Sequence, residues 1–103
     1  MPRPDPTIPL DEHTAAHVAE LFRSFSDTSR VRILSVLTER EVNVGTLAGL
    51  VGNSESAISH HLRSLRQLGL VQTRRDGKEI FYRVEDDHLI ALFREGVKHI
   101  QYG

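Results

Sequence analysis

The hydrophobic repeat of this chain changes period late in the sequence, and that change limits the folds open to it. Up to Leu68 apolar residues recur every three to four positions, the spacing of one helix face. They run Val18, Leu21, Phe22, Phe25, then Val31, Leu34, Leu37 with Ile33 and Val36 beside them, then Val44, Leu47, Ala48, Val51, then Ile58, Leu62, Leu65, Leu68. From Leu70 to Arg75 and from Glu79 to Val84 the chain is instead rich in Val, Thr, Ile, Phe and Tyr. Asp76-Gly77 between these runs is a short-range hairpin signal. The helical repeat returns near Asp86 with Leu89, Leu92, Phe93, Gly96, Val97 and Ile100. Asp27, Asn43 and Ser54 stand where helix N-caps are needed, and Gly52-Asn53 breaks the third run.

The expected order is therefore helix, helix, helix, long helix, hairpin, helix. Two helices joined by the tight turn at Gly52 to Ser54 match a helix-turn-helix. Followed at once by a basic hairpin, they describe a winged helix-turn-helix, a mainly α fold with one two-stranded hairpin (α+β). At 103 residues the chain has room for one such domain. The reading assigns residues 10–103 to it and residues 1–9, Pro-rich and polar, to a flexible arm. The first and last helices each keep an apolar stripe that the core does not use. A homodimer through these two helices covers both.

The net charge of −1 conceals an imbalance. From His60 to Arg83 there are six basic residues (Arg63, Arg66, Arg74, Arg75, Lys78, Arg83) against Asp76 and Glu79, while the rest of the chain carries seven basic and twelve acidic ones. A local basic segment on an acidic body suits a phosphate-facing surface that resists indiscriminate binding. With Ile58 and Leu62 turned inward, Ser54, Ser56, Ser59, His60 and Arg63 fall on the side that would enter the major groove of double-stranded operator DNA. Glu55 is the awkward member there, an acceptor for a cytosine amino group or a complement to the helix dipole. The adjacent His60 and His61 point about 100° apart, so they cannot share a role. His60 is assigned to DNA, and a buried hydrogen bond is the other role open to a histidine here. Arg74, Arg75 and Lys78 flank the hairpin turn and suit phosphate or minor-groove contact. The alternative for them is an exposed strand edge kept charged against aggregation.

Asp86, His88 and His99 form a second constellation. Eleven positions apart, the two histidines come within about 20° of one helix face but about 16 Å apart along it, whereas an ion binds its donors at about 2.0–2.2 Å. One helix cannot bring both to one ion, but two copies running antiparallel can. Imidazole nitrogen with carboxylate oxygen suits zinc, with nickel or cobalt as alternatives, and not copper(I). The competing reading has both histidines hydrogen-bonded in a metal-blind dimer interface.

Four motifs in order then carry a resemblance: Ser26-Asp27-Thr28-Ser29-Arg30-Val31-Arg32-Ile33-Leu34, the segment Ser54 to Leu65, Arg74-Arg75-Asp76-Gly77-Lys78-Glu79-Ile80-Phe81-Tyr82, and Asp86-Asp87-His88 followed by His99. From about Val18 to Ile100 the chain resembles the ArsR/SmtB family of metal-responsive winged-helix repressors, most closely its SmtB-like zinc sensors. The lack of a span or leader in the sequence gives a cytoplasmic location as the expectation, and the resemblance implies a transcriptional repressor. Its homodimer binds an operator without metal and dissociates when metal binds between the last helices. It also implies a fourth donor where Tyr102 stands, and tyrosine is an uncommon zinc ligand. Water, the Gly103 carboxylate, His13 or His17 are the substitutes; His13 and His17 share a face at i, i+4. Asn43 occupies the place of the third-helix cysteine of the family's other site, and Thr28 that of its usual proline. The Gly69 carbonyl is an expected acceptor for the ring N–H of His99.

Other classes fit poorly. Without cysteine there is no disulfide framework, thiolate metal site or thiol nucleophile. No nucleophile elbow or phosphate-cradling glycine loop supports an enzyme with a small-molecule substrate. No apolar run approaches the about 18 residues of a membrane span, and no basic-then-apolar leader is present. A pure protein-interaction module, with the basic segment incidental, is the remaining alternative.

Overall fold

The computed structural model describes residues 8–103. The arm expected over residues 1–9 lies, through residue 7, outside the described residues. Helix α1 (Glu12–Ser24) starts where the Asp11 carboxylate accepts from the Thr14 N–H at 2.7 Å. Helix α2 (Thr28–Leu37) is capped in the same way by Asp27, which accepts from Arg30 N at 3.1 Å. These exchanges satisfy amide donors that the first helical turn leaves without partners. They also hold both carboxyls below the usual aspartate range, mainly through the cap hydrogen bonds.

Strand β1 (Val42–Asn43) leads directly into α3 (Val44–Val51). Asn43 both pairs with Phe81 and caps α3, accepting from Thr46 N at 2.8 Å. Helix α3 stops at Gly52, whose φ of +80° is the left-handed conformation in which a Cβ would be strained. Ser54 then caps α4 (Glu55–Gln67), its Oγ accepting from Ala57 N at 3.1 Å. Strands β2 (Gln72–Asp76) and β3 (Glu79–Arg83) form the wing, and α5 (Asp87–Tyr102) closes the chain.

Two expectations need correction. The sheet has three antiparallel strands in the order β1-β3-β2, not two, with Val42 opposite Tyr82 and Asn43 opposite Phe81. A two-residue strand is too short to display alternation, so only tertiary pairing defines it. The hairpin turn is also one residue later than expected. Asp76 pairs with Glu79, leaving Gly77-Lys78 as the loop with φ +63° at Gly77. Glycine at the first loop position is what a type II′ turn requires.

The core lies where α2, α3 and α4 meet, and Ile33, Leu34, Leu37, Leu47, Ile58, Leu62 and Leu65 are fully buried in it. The Val84 N–H donates to the Leu37 carbonyl at 2.9 Å, tying the end of the wing to the end of α2. Helices α1 and α5 meet through Phe25 and Phe93, edge to face at 6.4 Å. Beside that contact is an apolar cleft of about 450 Å³ lined by Phe22, Phe25, Leu92, Phe93, Val97 and Ile100. Phe22 and Ile100 are 52% and 84% exposed, far more than large apolar side chains of a finished core.

This packing predicts that Ile58→Ala lowers unfolding free energy by about 2–5 kcal/mol, because it removes methyl groups that have no room to be replaced by water. Leu50→Ala, on the exposed side of α3, changes it by less than about 0.5 kcal/mol. Urea denaturation of both variants checks the contrast.

Candidate nucleic-acid interface and the donor residues of the last helix

Helix α4 buries Ile58, Leu62 and Leu65, and a helix that hides one stripe must present the other. Ser56, His60 and Arg63 lie exposed on that other side, and Ser59 is partly covered. Ser54 is also exposed, but its hydroxyl oxygen already accepts the cap hydrogen bond. Ser59, Arg63 and Arg66 of α4 face Tyr82 of β3 across a polar cleft, which places two arginines of the helix beside the wing.

The two adjacent histidines divide as their geometry demands. His60 is exposed, while His61 is half-buried and its Nδ1 accepts from Arg30 Nε at 3.2 Å. A guanidinium can only donate, so Nδ1 of His61 is the acceptor in this bond. Arg32 donates from Nη1 to the Val51 carbonyl at 2.7 Å, at the last residue of α3. These two arginines of α2 thus clasp both helices of the helix-turn-helix. Sequence patterning missed their roles, since partners 31 and 19 positions away leave no local signal.

The wing cations separate into two kinds. Arg74 gives hydrogen bonds from Nε and Nη2 to Glu41 Oε1 at 3.0 and 2.7 Å and lies over the Phe81 ring at 5.0 Å. The Arg74 hydrogen bond holds the Glu41 carboxyl below the usual glutamate range and reciprocally raises the guanidinium. Arg83 Nε approaches the other Glu41 oxygen at 3.8 Å, and Arg83 also pairs with Glu85. Arg75 and Lys78 stay exposed at the tip, with no ion pair among the described residues. Glu41 was not singled out in the sequence, where nothing connects it with Arg74 thirty-three positions on.

At the start of α5, Asp86 is the N-cap, with Oδ1 accepting from the backbone N–H of His88 at 2.8 Å and of Leu89 at 3.3 Å. The His88 ring is fully exposed, its Nδ1 3.5 Å from Asp86 Oδ1. His99 is exposed near the far end of the helix. Within one chain, no three His, Asp or Glu side chains among the described residues are grouped to hold an ion. The structure therefore brings Asp86 and His88 together and leaves His99 apart. Gln72 spans the gap between the end of α4 and this cap. Its Nε2 donates to the Gly69 carbonyl at 3.3 Å and its Oε1 accepts from Glu85 N at 3.1 Å. The Gly69 carbonyl, the acceptor expected for His99, accepts from Gln72 here.

Among the described residues no helix is long and apolar enough to cross a membrane. The family described as bacterial regulatory protein, arsR family, matches residues 27–73, from the start of α2 into β2. The HTH-type transcriptional regulator KmtR of Mycobacterium tuberculosis is 40% identical over 94 residues, which are 91% of this chain and 72% of KmtR. A transcriptional repressor SmtB homolog from Synechocystis is 42% identical over 87 residues, 84% of this chain and 66% of that protein. The crystal structure of NolR from Sinorhizobium fredii superposes with a TM-score of 0.80 at 36% identity, covering 92% of this chain and 96% of that one. These relatives are transcriptional regulators, a family that is not one of enzymes. The chain belongs to the arsR family of bacterial regulatory proteins.

Proposed function

We propose that this chain is a metal-sensing transcriptional repressor that holds operator DNA as a metal-free homodimer. It releases the DNA once Asp86 and His88 of one α5, with His99 of the partner subunit, bind zinc, or alternatively cobalt or nickel. The observation that carries this reading is the division of donors along α5. Asp86 and His88 converge at one end, His99 stands about 16 Å further along the same face, and Leu92 lies exposed between them. A second α5 running antiparallel supplies the missing histidine and covers the uncovered Phe22, Leu92 and Ile100 in the same step. Relatives named for cadmium resistance and a solved antimony-specific repressor at 27% identity support a metal as the signal.

The donor set fits a divalent ion of the zinc class: Asp86 keeps Oδ2 outside its cap bonds, and both imidazoles are open to solvent. Such an ion would supply a cross-link between two helices that are otherwise held by apolar contact alone. The cap at Asp86 orients the first two donors, and Gln72 joins the residue before that cap to Gly69, just past the end of α4. Only a difference in affinity between two dimer arrangements can turn this connection into regulation. On the DNA side, Ser54, Ser56, Ser59, His60 and Arg63 meet the major groove, and Arg75 and Lys78 meet phosphates. Arg74 is restrained by Glu41 and contributes less than its charge suggests.

One observation favours a second reading, an operator-binding repressor indifferent to metal. Tyr102, where the resemblance implies a fourth donor, is 83% exposed and carries a phenol. The relatives also include the nodulation protein NolR.

A gel shift on an inverted-repeat duplex tests the proposal. The metal-free protein is expected to retard the duplex, zinc, cobalt or nickel to weaken binding about 5- to 150-fold, and a chelator to restore it. His88→Ala or His99→Ala should keep DNA binding and lose the metal response. A complex unaffected by all three metals supports the second reading instead.

For the wing, Glu41→Gln is expected to free Arg74 and tighten binding. The slope of log affinity against log salt should steepen by about one phosphate contact. An unchanged slope would show that Arg74 does not reach the DNA.

A further inference from the structure

The first helix carries a donor pair that the proposed regulatory site does not use. His13 and His17 sit one turn apart on α1, their ring centroids 4.4 Å apart and both side chains exposed. The helix holding them is capped by Asp11, so the pair is carried on formed backbone. Their face is turned away from the Val18 and Phe22 side of the helix. His17 borders a small cleft with Leu21, Gln67, Leu68 and Leu70, at the end of α4. The sequence offered these residues only as substitutes for the fourth α5 donor.

Two imidazole nitrogens that bind one ion at about 2.0–2.1 Å stand about 3 Å from each other. Rings with centroids 4.4 Å apart reach that separation by turning about their side-chain torsions, without moving the helix. We infer that His13 and His17 form a second metal site, a two-imidazole chelate for borderline divalent cations, distinct from the α5 site and contained within one chain. Its remaining coordination positions belong to water. Among the described residues no third donor is grouped with the pair, so the site is open. Glu12 and Glu20, one beside His13 and the other three residues beyond His17, add negative charge that favours a cation. Copper(II) should bind most tightly, then nickel(II) or zinc(II), in the usual order for nitrogen donors.

Joining two donors on one helix makes the second coordination bond intramolecular, which raises affinity by about 10²–10⁴ over a lone imidazole. The spacing, more than the number of histidines, is therefore the testable feature. Copper(II) alone is titrated into the full chain carrying His88→Ala and His99→Ala, with calorimetry and the broadening of histidine NMR signals as readouts. One ion per chain should bind, with the His13 and His17 resonances broadened first. Adding His13→Ala should weaken binding about a hundredfold or more. A register control combines Glu12→His with His13→Ala, keeping the histidine count but setting the spacing at five, about 140° around the helix. It should bind as weakly as His13→Ala alone. Because these positions are exposed, helical circular dichroism should not change. Equal affinity of the register control and the parent, or loss of the copper site through the α5 substitutions alone, would overturn the inference. Whether metal at α5 controls DNA binding is read separately, by the operator gel shift.

Discussion

Ile58, Leu62 and Leu65 are removed from water on one side of α4, and the functional geometry of the chain depends on that burial. At about 1.5–3 kcal/mol for each buried aliphatic side chain, the three together outweigh any hydrogen bond the opposite face could make inside the molecule. Turning α4 by one residue, about 100°, would drive Ser59 or Arg63 into the core and lift Ile58 into solvent. The outward set of Ser56, His60 and Arg63 is thus decided by apolar packing. Arg30 and Arg32 of α2 then hold the rotated helix and its turn in place, one through His61 and the other through the carbonyl of Val51.

The same burial leaves part of the chain unsatisfied. Helices α1 and α5 lie at the edge of the core, touching through Phe25 and Phe93, and among the described residues Phe22, Leu92 and Ile100 on them stay exposed. A domain of this size buries only about 60–70% of the surface of its unfolded chain. The two helices that add least to the core are those with surface to offer another chain. The division of donors on α5 depends on the same helices, so the proposed dimer and the proposed metal response share one surface.

Much of this was legible from residue patterns. The caps at Asp27, Asn43 and Ser54, the stripe on α4 and the last helix follow from local chemistry, and each was found where its residue types placed it; the hairpin was found too, with its turn shifted by one residue. What was hidden depends on distance. Strand β1 is two residues long and exists because β3 reaches back to it. Arg74 looks like a free wing cation until Glu41 is brought across from the end of the α2–β1 connection. The hairpin loop falls at Gly77-Lys78 because strand register, which the Asp-Gly pair does not encode by itself, aligns Asp76 with Glu79. The helical offset of His60 and His61 already separates the outward ring from the inward one, but the partner of the inward ring, Arg30, is 31 positions away and leaves no local signal. The donors Asp86, His88 and His99 were legible as a spacing, and helix rise alone makes that spacing useless to a single chain.

A complementation experiment is the most direct test of a site shared across two subunits. Chains carrying His88→Ala and chains carrying His99→Ala are unfolded together, refolded as mixed dimers with distinguishable tags, and titrated with zinc. Each parent variant should bind zinc poorly, whereas the mixed dimer should regain one tight site, built from the His88 of one chain and the His99 of the other. A mixed dimer as poor in zinc as its parents would contradict the shared site and, with it, the account of how this regulator is switched.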